Sequence, residues 1–399
     1  RRESSVVIIA SFNVENLFAR AKVLDTATWE EGTKRLAAFE RFNRTAQRRR
    51  YRTSDKQTMI DDLLMLSVLT RSRAKIIRQP NLSAQMAILR ENRGDFLVER
   101  RATGVEIVAE ARGDWIGWID LVVEPVDEVA IRMTAQVVRD MRADVLAVVE
   151  AENRPSLVRF NEEMLGNRYR HVMLVDGNDQ RGIDVGLLTT RRYPISSVTS
   201  HVDDRDTENP DFGRRDGRLF SRDAPVYTVR WGEHNLYVVV NHLKSQSRTG
   251  VEPPDDLRRR QSRRLAAIYR QLRRDGCTYV VMLGDFNRGP DSDGGHPSLE
   301  DLFNRRLGLV DAYSLDTFET GPRPGSFQGS SLRDRRDYIF MSPELAACVK
   351  LGGVFRKGLW GRSTNVNPPD DWAIYREITA SRHAASDHAA IWVDVGLPT

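Results

Sequence analysis

Seven short apolar runs rich in Val and Ile recur from one end of this chain to the other, and each breaks off in polar residues: VVIIASFN, DVLAVVEAEN, GIDVGLLTT, LYVVVNHLKS, YVVMLGDFN, RDYIFMS and HAAIWVDV. A run without polar alternation is what a strand covered on both faces looks like, because neither side of it meets water. Amphipathic helices lie between the runs. One is near residues 128 to 142, where Val129, Met133, Val137 and Met141 recur at about four-residue spacing; another runs from about Asp256 to Asp275, with Leu265, Ile268 and Leu272 as its apolar stripe. Buried strands alternating with such helices predict an α/β fold.

The ends of these runs carry the chemistry. Asn13, Glu150, His242, Asp285 with Asn287, and Asp387 with His388 stand at strand ends or beside them, and Asp337 opens the run RDYIFMS. One polar residue closing a strand needs no explanation beyond solvation. Repetition of the pattern points to a single site assembled from many segments. Hard oxygen donors dominate and no thiolate is present, which favours Mg2+, with Mn2+ as a substitute, over zinc. His171, His201, His234, His296 and His383 lie outside these motifs and read as surface or structural residues. A carboxylate-bound divalent cation beside two imidazoles suits in-line displacement at phosphorus, where charge builds on phosphoryl oxygens and water loses a proton. No nucleophile elbow or activated thiol supports acyl transfer.

Composition narrows the class. With 399 residues, 40% apolar side chains, net charge +5 and a mean hydropathy of −0.49, the chain reads as globular, and disordered, collagenous and membrane classes are excluded. No apolar run approaches the roughly 18 residues that span a bilayer. The length allows several domains, or one large α/β domain carrying an insertion. Cys277 and Cys348 lie far apart in no metal-ligand spacing and read as free thiols, the expectation for a cytoplasmic protein. The chain opens on Arg1 rather than Met, which is compatible with a leader removed before this numbering begins.

Residues 20 to 125 differ in texture from the rest. From about Thr28 to Asn92 they read as helical, with ATWEEGTKRLAAFERFN and SDKQTMIDDLLMLSVL as the clearest pieces; FLVERRATGVEIVAE then reads as a hairpin and DWIGWIDLVV as a strand. RFNRTAQRRRYR sets Arg41, Arg44, Arg48, Arg49, Arg50 and Arg52 beside Phe42 and Tyr51, a mixture suited to nucleic acid and equally to a solvated helix end. The helix after Asp256 carries Arg258, Arg259, Arg260, Arg263, Arg264, Arg270, Arg273 and Arg274, read as a solvated face or a phosphate-contact surface.

The ordered series SFNVENLF, DVLAVVEAEN, RGIDVGLL, VVNHLKS, LGDFN, RRDYIFMS and SDHAAIW resembles the endonuclease/exonuclease/phosphatase superfamily, also called deoxyribonuclease I-like, over about residues 5 to 20 and 126 to 399. The resemblance implies a four-layered α/β sandwich, two mixed sheets packed face to face with helices outside, and it leaves residues 21–125 unmatched, which their own pattern makes a mostly helical insertion after the first strand. It implies Glu150 as the principal metal ligand with Asn13 beside it, in the metal shell or hydrogen-bonded to the phosphate, Asp387 in the metal shell directly or through water, and Asp285 as acceptor of the water proton. Asn287 would orient Asp285 or a phosphate oxygen, and His388, held by Asp337, would bind the scissile phosphate or act as acid. His242 and Lys244 would contact phosphoryl oxygens, and Arg181 would reach phosphate or form a structural salt bridge. Departures from the family pattern are Val149, where a Gln is usual, and Arg288 after GDFN, which adds positive charge. Glu152 is the other candidate ligand, but Glu150 falls directly at the end of the apolar run.

The first functional reading is a Mg2+-dependent phosphodiesterase acting on DNA or RNA, a nuclease. A second keeps the chemistry on a phospholipid, phosphoinositide or other small phosphoester, since fold does not fix substrate. A third, a non-catalytic binding protein, is weakened because every core catalytic position is filled. The insertion is expected to cover one side of the site or to recruit a protein partner.

Overall fold

The computed structural model describes residues 6–17, 19–24, 29–125, 129–179, 181–208, 217–247, 252–291, 296–360 and 372–396. Contacts divide the chain into two units, Arg1–Phe18 with Val126–Thr399, and Ala19–Pro125. In the first unit the strands, in chain order, are β1 (Val6–Leu17), β2 (Val145–Ala151), β3 (Tyr169–Val175), β4 (Asp184–Thr190), β5 (Ile195–Thr199), β6 (Val226–Trp231), β7 (His234–His242), β8 (Tyr279–Asp285), β9 (Val310–Asp311), β10 (Phe318–Glu319), β11 (Asp337–Met341), β12 (Val349–Phe355) and β13 (Ala390–Gly396). The longer helices of the chain are α1 (Trp29–Ala46), α2 (Thr53–Met65), α3 (Val129–Met141), α4 (Arg154–Met164) and α5 (Pro254–Arg274).

The strands form a seven-stranded sheet, ordered β3-β4-β2-β1-β13-β12-β10, and a six-stranded sheet, ordered β5-β6-β7-β8-β11-β9. Both are mixed: β1 runs parallel to β2 and antiparallel to β13, and β7 runs parallel to β8, which is antiparallel to β11. Successive residues of a strand face opposite ways. On β2, Val145, Ala147 and Val149 therefore enter the core between the sheets with Val238, Val240, Val281, Leu283 and Ile339. Leu146 and Val148 face outward and pack with Met133 and Val137 of α3 and Leu157 and Phe160 of α4. On the other side Val239, Val280 and Met282 meet Leu265, Ile268 and Tyr269 of α5. Helix, sheet, sheet, helix is the four-layered sandwich, and it explains the unbroken apolar runs, since every central strand is covered twice.

The second unit has its own core, in which Ala38 and Phe42 of α1 and Met59 and Leu63 of α2 are buried with Phe96, Ile107 and Trp115. The two helices match the expectation, although the start near Thr28 lies outside the described residues. The helical reading fails from Leu69 onward: Leu69–Ser72 pairs with Lys75–Arg78, and Ala87–Arg93 with Ile116–Leu121. The expected hairpin of Leu97–Arg100 with Gly104–Ile107 is present. Ser67 and Arg73 adopt φ of 54° and turn the chain where a helix would continue, and Pro80 stops a helix from running through KIIRQPNL. The unit is thus mixed α and β rather than mostly helical. Phe42 and Tyr51 are core residues, 0% and 3% exposed, so they are not stacking platforms for bases.

Candidate active site

Strand register assembles the site. His242, Asp285 and Asp337 stand opposite one another on β7, β8 and β11, so three functional side chains share one level at the ends of adjacent strands. Gly284 permits this closeness: with φ at +136°, a Cβ there would fall 2.0 Å from the Asn241 carbonyl oxygen. Beyond β8 the backbone turns through Asn287, whose φ of 59° is a left-handed value that Asn tolerates better than most residues. The Asn287 N–H donates to Asp285 Oδ1 at 2.7 Å, while its side-chain Nδ2 donates to the Leu243 carbonyl at 3.0 Å. Asn287 therefore orients Asp285 through its backbone, and its amide group is spent on holding the turn after His242.

The first sheet supplies the rest. Asn13 pairs with Val149, which leaves Glu150 one position further out. Buried Asn13 bridges the sheets by donating from Nδ2 to Asp285 Oδ2 at 3.2 Å, and its Oδ1 accepts the Glu15 N–H at 3.1 Å. Glu150 has φ at 68°, a conformation that costs a non-glycine residue on the order of 1 kcal/mol or more and tends to persist at functional sites. Its Oε1 lies 3.7 Å from His242 Nε2, and among the described residues no hydrogen-bond donor is seated on it. Glu152 instead accepts a hydrogen bond from Ser156 Oγ at 3.1 Å in the first turn of α4. Val149 is fully buried between the sheets, so packing occupies the position where the family usually has Gln.

The third corner is SDHAAIW. Ser386 Oγ donates to the Asn13 carbonyl at 2.7 Å and accepts the His388 N–H at 2.9 Å, tying this loop to β1. His388 Nδ1 lies 2.8 Å from Asp337 Oδ2, and Ser326 Oγ donates to the same oxygen at 2.6 Å. His388 Nε2 is 3.7 Å from Asp285 Oδ2 and 3.9 Å from Asp387 Oδ1. The Asp387 N–H donates to Glu15 Oε2 at 2.8 Å.

Electrostatics separates the groups. Burial pulls the His388 imidazolium down, but the Asp337 and Asp285 carboxylates more than reverse this, and its net shift is upward. His242 is held neutral, well below the usual imidazole range, by burial and then by the charges of Arg222 and His388; its Nδ1 is buried without a partner. Burial and then Asp337 raise Asp285 above the ordinary carboxylate range. Glu15, whose edge stays open to solvent, is nevertheless pushed up to about 7 by partial burial and then by the Asp387 charge, with Glu150 contributing. Carboxylates crowded without a compensating cation suit a metal site.

Two groupings are candidates for that cation. Asp285, Asp337 and His388 offer atoms within 4.8 Å of one another. That cluster is already satisfied internally, because Asp337 Oδ2 takes hydrogen bonds from His388 and Ser326. Glu150, one position beyond the Val149 that pairs with Asn13, presents a carboxylate on which no donor is seated among the described residues, the kind of hard oxygen a divalent cation takes.

The basic candidates divide. Lys244 lies two residues past His242, with Nζ donating to the Ser247 carbonyl at 3.2 Å, and Arg181, paired with Asp179 at 2.9 Å, acts by its charge on Glu150 and His242. Arg288 is committed to Asp291 at 3.3 Å and Gln246 at 3.2 Å. The arginines of α5 are largely neutralised by the protein itself: Arg260 by Asp206 and Glu252, Arg263 by Glu208, Arg264 by Asp204, and fully buried Arg258 by Asp255. That helix is an ion-paired face and not a free phosphate surface. Glu15, Arg222, Ser326 and Ser386 are members of the constellation absent from the sequence reading. Only Ser386 and Glu15 had a local signal, as neighbours of His388 and Asn13 in SDH and NVEN.

Two packed mixed sheets whose strand ends gather carboxylates and imidazoles around one level belong to the class of hydrolytic phosphoesterases. Residues 128–388 match the Endonuclease/Exonuclease/phosphatase family, and the chain belongs to that family. Solved structures with similarity include an endonuclease/exonuclease/phosphatase family protein from Bacteroides thetaiotaomicron, at 15% identity, TM-score 0.45, with 68% of this chain and 89% of that one covered. A mannosyl-6-phosphatase from Bacteroides thetaiotaomicron VPI-5482 has 16% identity and a TM-score of 0.45, with coverage of 66% and 89%. The human Nocturnin catalytic domain with bound sulfate has 15% identity and a TM-score of 0.44, with coverage of 67% and 86%. No curated protein sequence matches the chain. Among the described residues no helix is long and apolar enough to cross a membrane.

Proposed function

We propose that this chain is a divalent-metal-dependent phosphodiesterase that hydrolyses nucleic acid by in-line attack of water. In this reading Asp285 accepts the water proton. Its raised pKa keeps it basic enough for that task, and hydrogen bonds from Asn13 Nδ2 and the Asn287 N–H fix both its oxygens. His388 donates Nδ1–H to Asp337, which sets the tautomer and turns a protonated Nε2 toward the phosphoryl group. Neutral His242 donates to a second phosphoryl oxygen. Glu150, Asn13 and Asp387 would hold Mg2+, with Mn2+ as substitute, and a cation bound there supplies neutralisation of the charge developing on phosphoryl oxygen.

The observation that carries the choice of nucleic acid is that Arg181, with a side chain 65% exposed and a charge that acts on Glu150 and His242, and Lys244, two residues past His242, add positive charge to the acidic centre, where a polyanionic strand would run. The test is a hydrolysis panel in Mg2+ of plasmid, single-stranded DNA, RNA, inositol phosphates and sphingomyelin. Cleavage of a nucleic acid at rates above the small esters is expected. Indifference to every nucleic acid would overturn the reading in favour of a small phosphoester.

A further inference from the structure

Arg222 is a buried cation that hydrogen-bonds none of the reacting groups, although its charge helps hold His242 neutral. It is 3% exposed, donates from Nη1 to Asp179 Oδ2 at 3.1 Å and from Nη2 to the Leu243 carbonyl at 2.9 Å, and its Nε is buried without a partner. Asp179 is shared. Its Oδ1 accepts Arg181 Nε at 3.1 Å and the Arg181 backbone N–H at 3.0 Å, and its Oδ2 accepts Arg181 Nη2 at 2.9 Å. The loop is fastened to the segment carrying Arg222: the Asn178 N–H donates to the Ser221 carbonyl at 2.6 Å, and a Cβ on Gly177 would lie 2.9 Å from the Arg222 Cα.

A buried guanidinium with an orphan nitrogen is an expensive way to stabilise a fold, since apolar side chains often serve as well. What this one achieves is geometric. It fixes Asp179, and Asp179 grips one edge of Arg181, so the outer Nη1 edge of that exposed guanidinium carries no hydrogen bond among the described residues and is pre-oriented. The position is set by register: Arg222 holds the carbonyl of Leu243, directly after His242, so the cluster borders the His242 edge of the site, away from Asp337. Arg181 has no hydrogen bond to Glu150, His242 or Lys244, yet its charge acts on all three. Arg181 therefore makes no direct contact with the groups assigned to the scissile phosphate, while its charge reaches them.

We propose that Arg181, held by Asp179 and Arg222, binds the phosphate adjacent to the scissile one in a nucleic-acid strand. The inference rests on the nucleic-acid reading and adds a subsite to it, with Asp179 and Arg222 as positioning residues. A mononucleotide diester lacks the group this arm would hold.

The test uses trinucleotides in Mg2+: one all-phosphate, and two in which either the 5′ or the 3′ linkage is an uncharged methylphosphonate and the other is ordinary. kcat/KM at the ordinary linkage is measured for wild type, Arg181→Gln and Asp179→Asn. Arg181 is exposed, so its substitution leaves the fold intact. For one methylphosphonate isomer the wild type is expected to lose about 10-fold relative to the all-phosphate substrate, while both variants lose less than about 2-fold, because the contact is already absent. Equal penalties in wild type and Arg181→Gln, or no penalty for either isomer in wild type, overturn the subsite and leave the nuclease reading standing. A wild type that cleaves neither the all-phosphate trinucleotide nor longer nucleic acid overturns that reading, and the subsite with it.

Discussion

His388 Nδ1 stands 2.8 Å from Asp337 Oδ2, with both residues buried, and Ser326 Oγ closes on the same oxygen at 2.6 Å. The carboxylate is thereby fixed from two sides, and so is the tautomer of the imidazole. Asp337→Asn preserves shape but can present N–H to Nδ1, which displaces the Nδ1 proton and leaves a neutral ring, or turns the ring away. A fall in kcat of about 100-fold or more on bis(p-nitrophenyl) phosphate is expected, with KM little changed. Ser326→Ala leaves the His388 contact in place and should cost only about 5- to 10-fold, near the value of one hydrogen bond. If Asp337→Asn were no worse than Ser326→Ala, His388 would not depend on its partner.

Glu150 carries the second prediction. EDTA should abolish hydrolysis, and Mg2+ or Mn2+ should restore it. Glu150→Gln keeps the side-chain length and removes the charge, so the Mg2+ concentration for half-maximal rate should rise about 10-fold or more and kcat should fall about 100-fold. A wild-type Mg2+ response in this variant would move the ion to Asp285, Asp337 and His388 instead.

Asp184 gives a pH-dependent prediction of stability. It opens β4, is buried, and accepts the Gly177 N–H at 2.7 Å. Burial and then the Asp176 and Asp179 carboxylates push it up to about 6. A carboxyl raised above its unfolded value favours the folded state when protonated. This contribution is full below an unfolded pKa of about 3.9 and is lost as the pH rises through the folded value. Asp184→Asn keeps the acceptor and drops the charge. It should be more stable than wild type at pH 7.5, by on the order of 1–3 kcal/mol, with the gap closing toward pH 4. A Tm difference that does not vary with pH would show that ionised Asp184 imposes no such cost.

These residues also mark what the sequence could and could not disclose. Central strands were legible because a strand covered on both faces has no polar alternation, and their polar ends were legible because Asn13, His242 and Asp285 interrupt long apolar runs. Register turned those ends into a site: His242, Asp285 and Asp337 are far apart in sequence and opposite one another in the sheet. Arg222 was hidden because nothing local distinguishes SRDAP from any polar loop; its meaning comes from Asp179 and Leu243. The arginines of α5 stayed open between a solvated face and a phosphate surface for the same reason, since Asp204, Asp206 and Glu208, which neutralise three of them, come from a distant loop. Residues 69–93 misled because Ser67 and Arg73 reverse the chain without the glycine that usually announces a turn.

The insertion yields the last prediction, from its charge and its ends. Residues 19–125 hold 20 Lys and Arg against 15 Asp and Glu, which leaves 41 of each in the remainder, so the whole +5 of the chain resides in this unit. Arg41 within α1 and Arg48 in the α1–α2 turn are paired with Asp62 and Asp55. Exposed Arg44, Arg49, Arg50 and Arg52 have no ion pair among the described residues. If these four contact backbone phosphates, replacing them with Gln should lower the slope of log affinity against log salt for duplex DNA by up to about 3–4. Ala19 pairs opposite Pro125, so the two ends of the unit meet, and a short linker can replace the unit without stretching β1. That deletion should depress kcat/KM on long nucleic acid more than on bis(p-nitrophenyl) phosphate. The comparison is made by measuring both substrates over a salt series. Equal losses on the two, together with an unchanged salt slope in the four-arginine variant, would leave the insertion with a structural role alone.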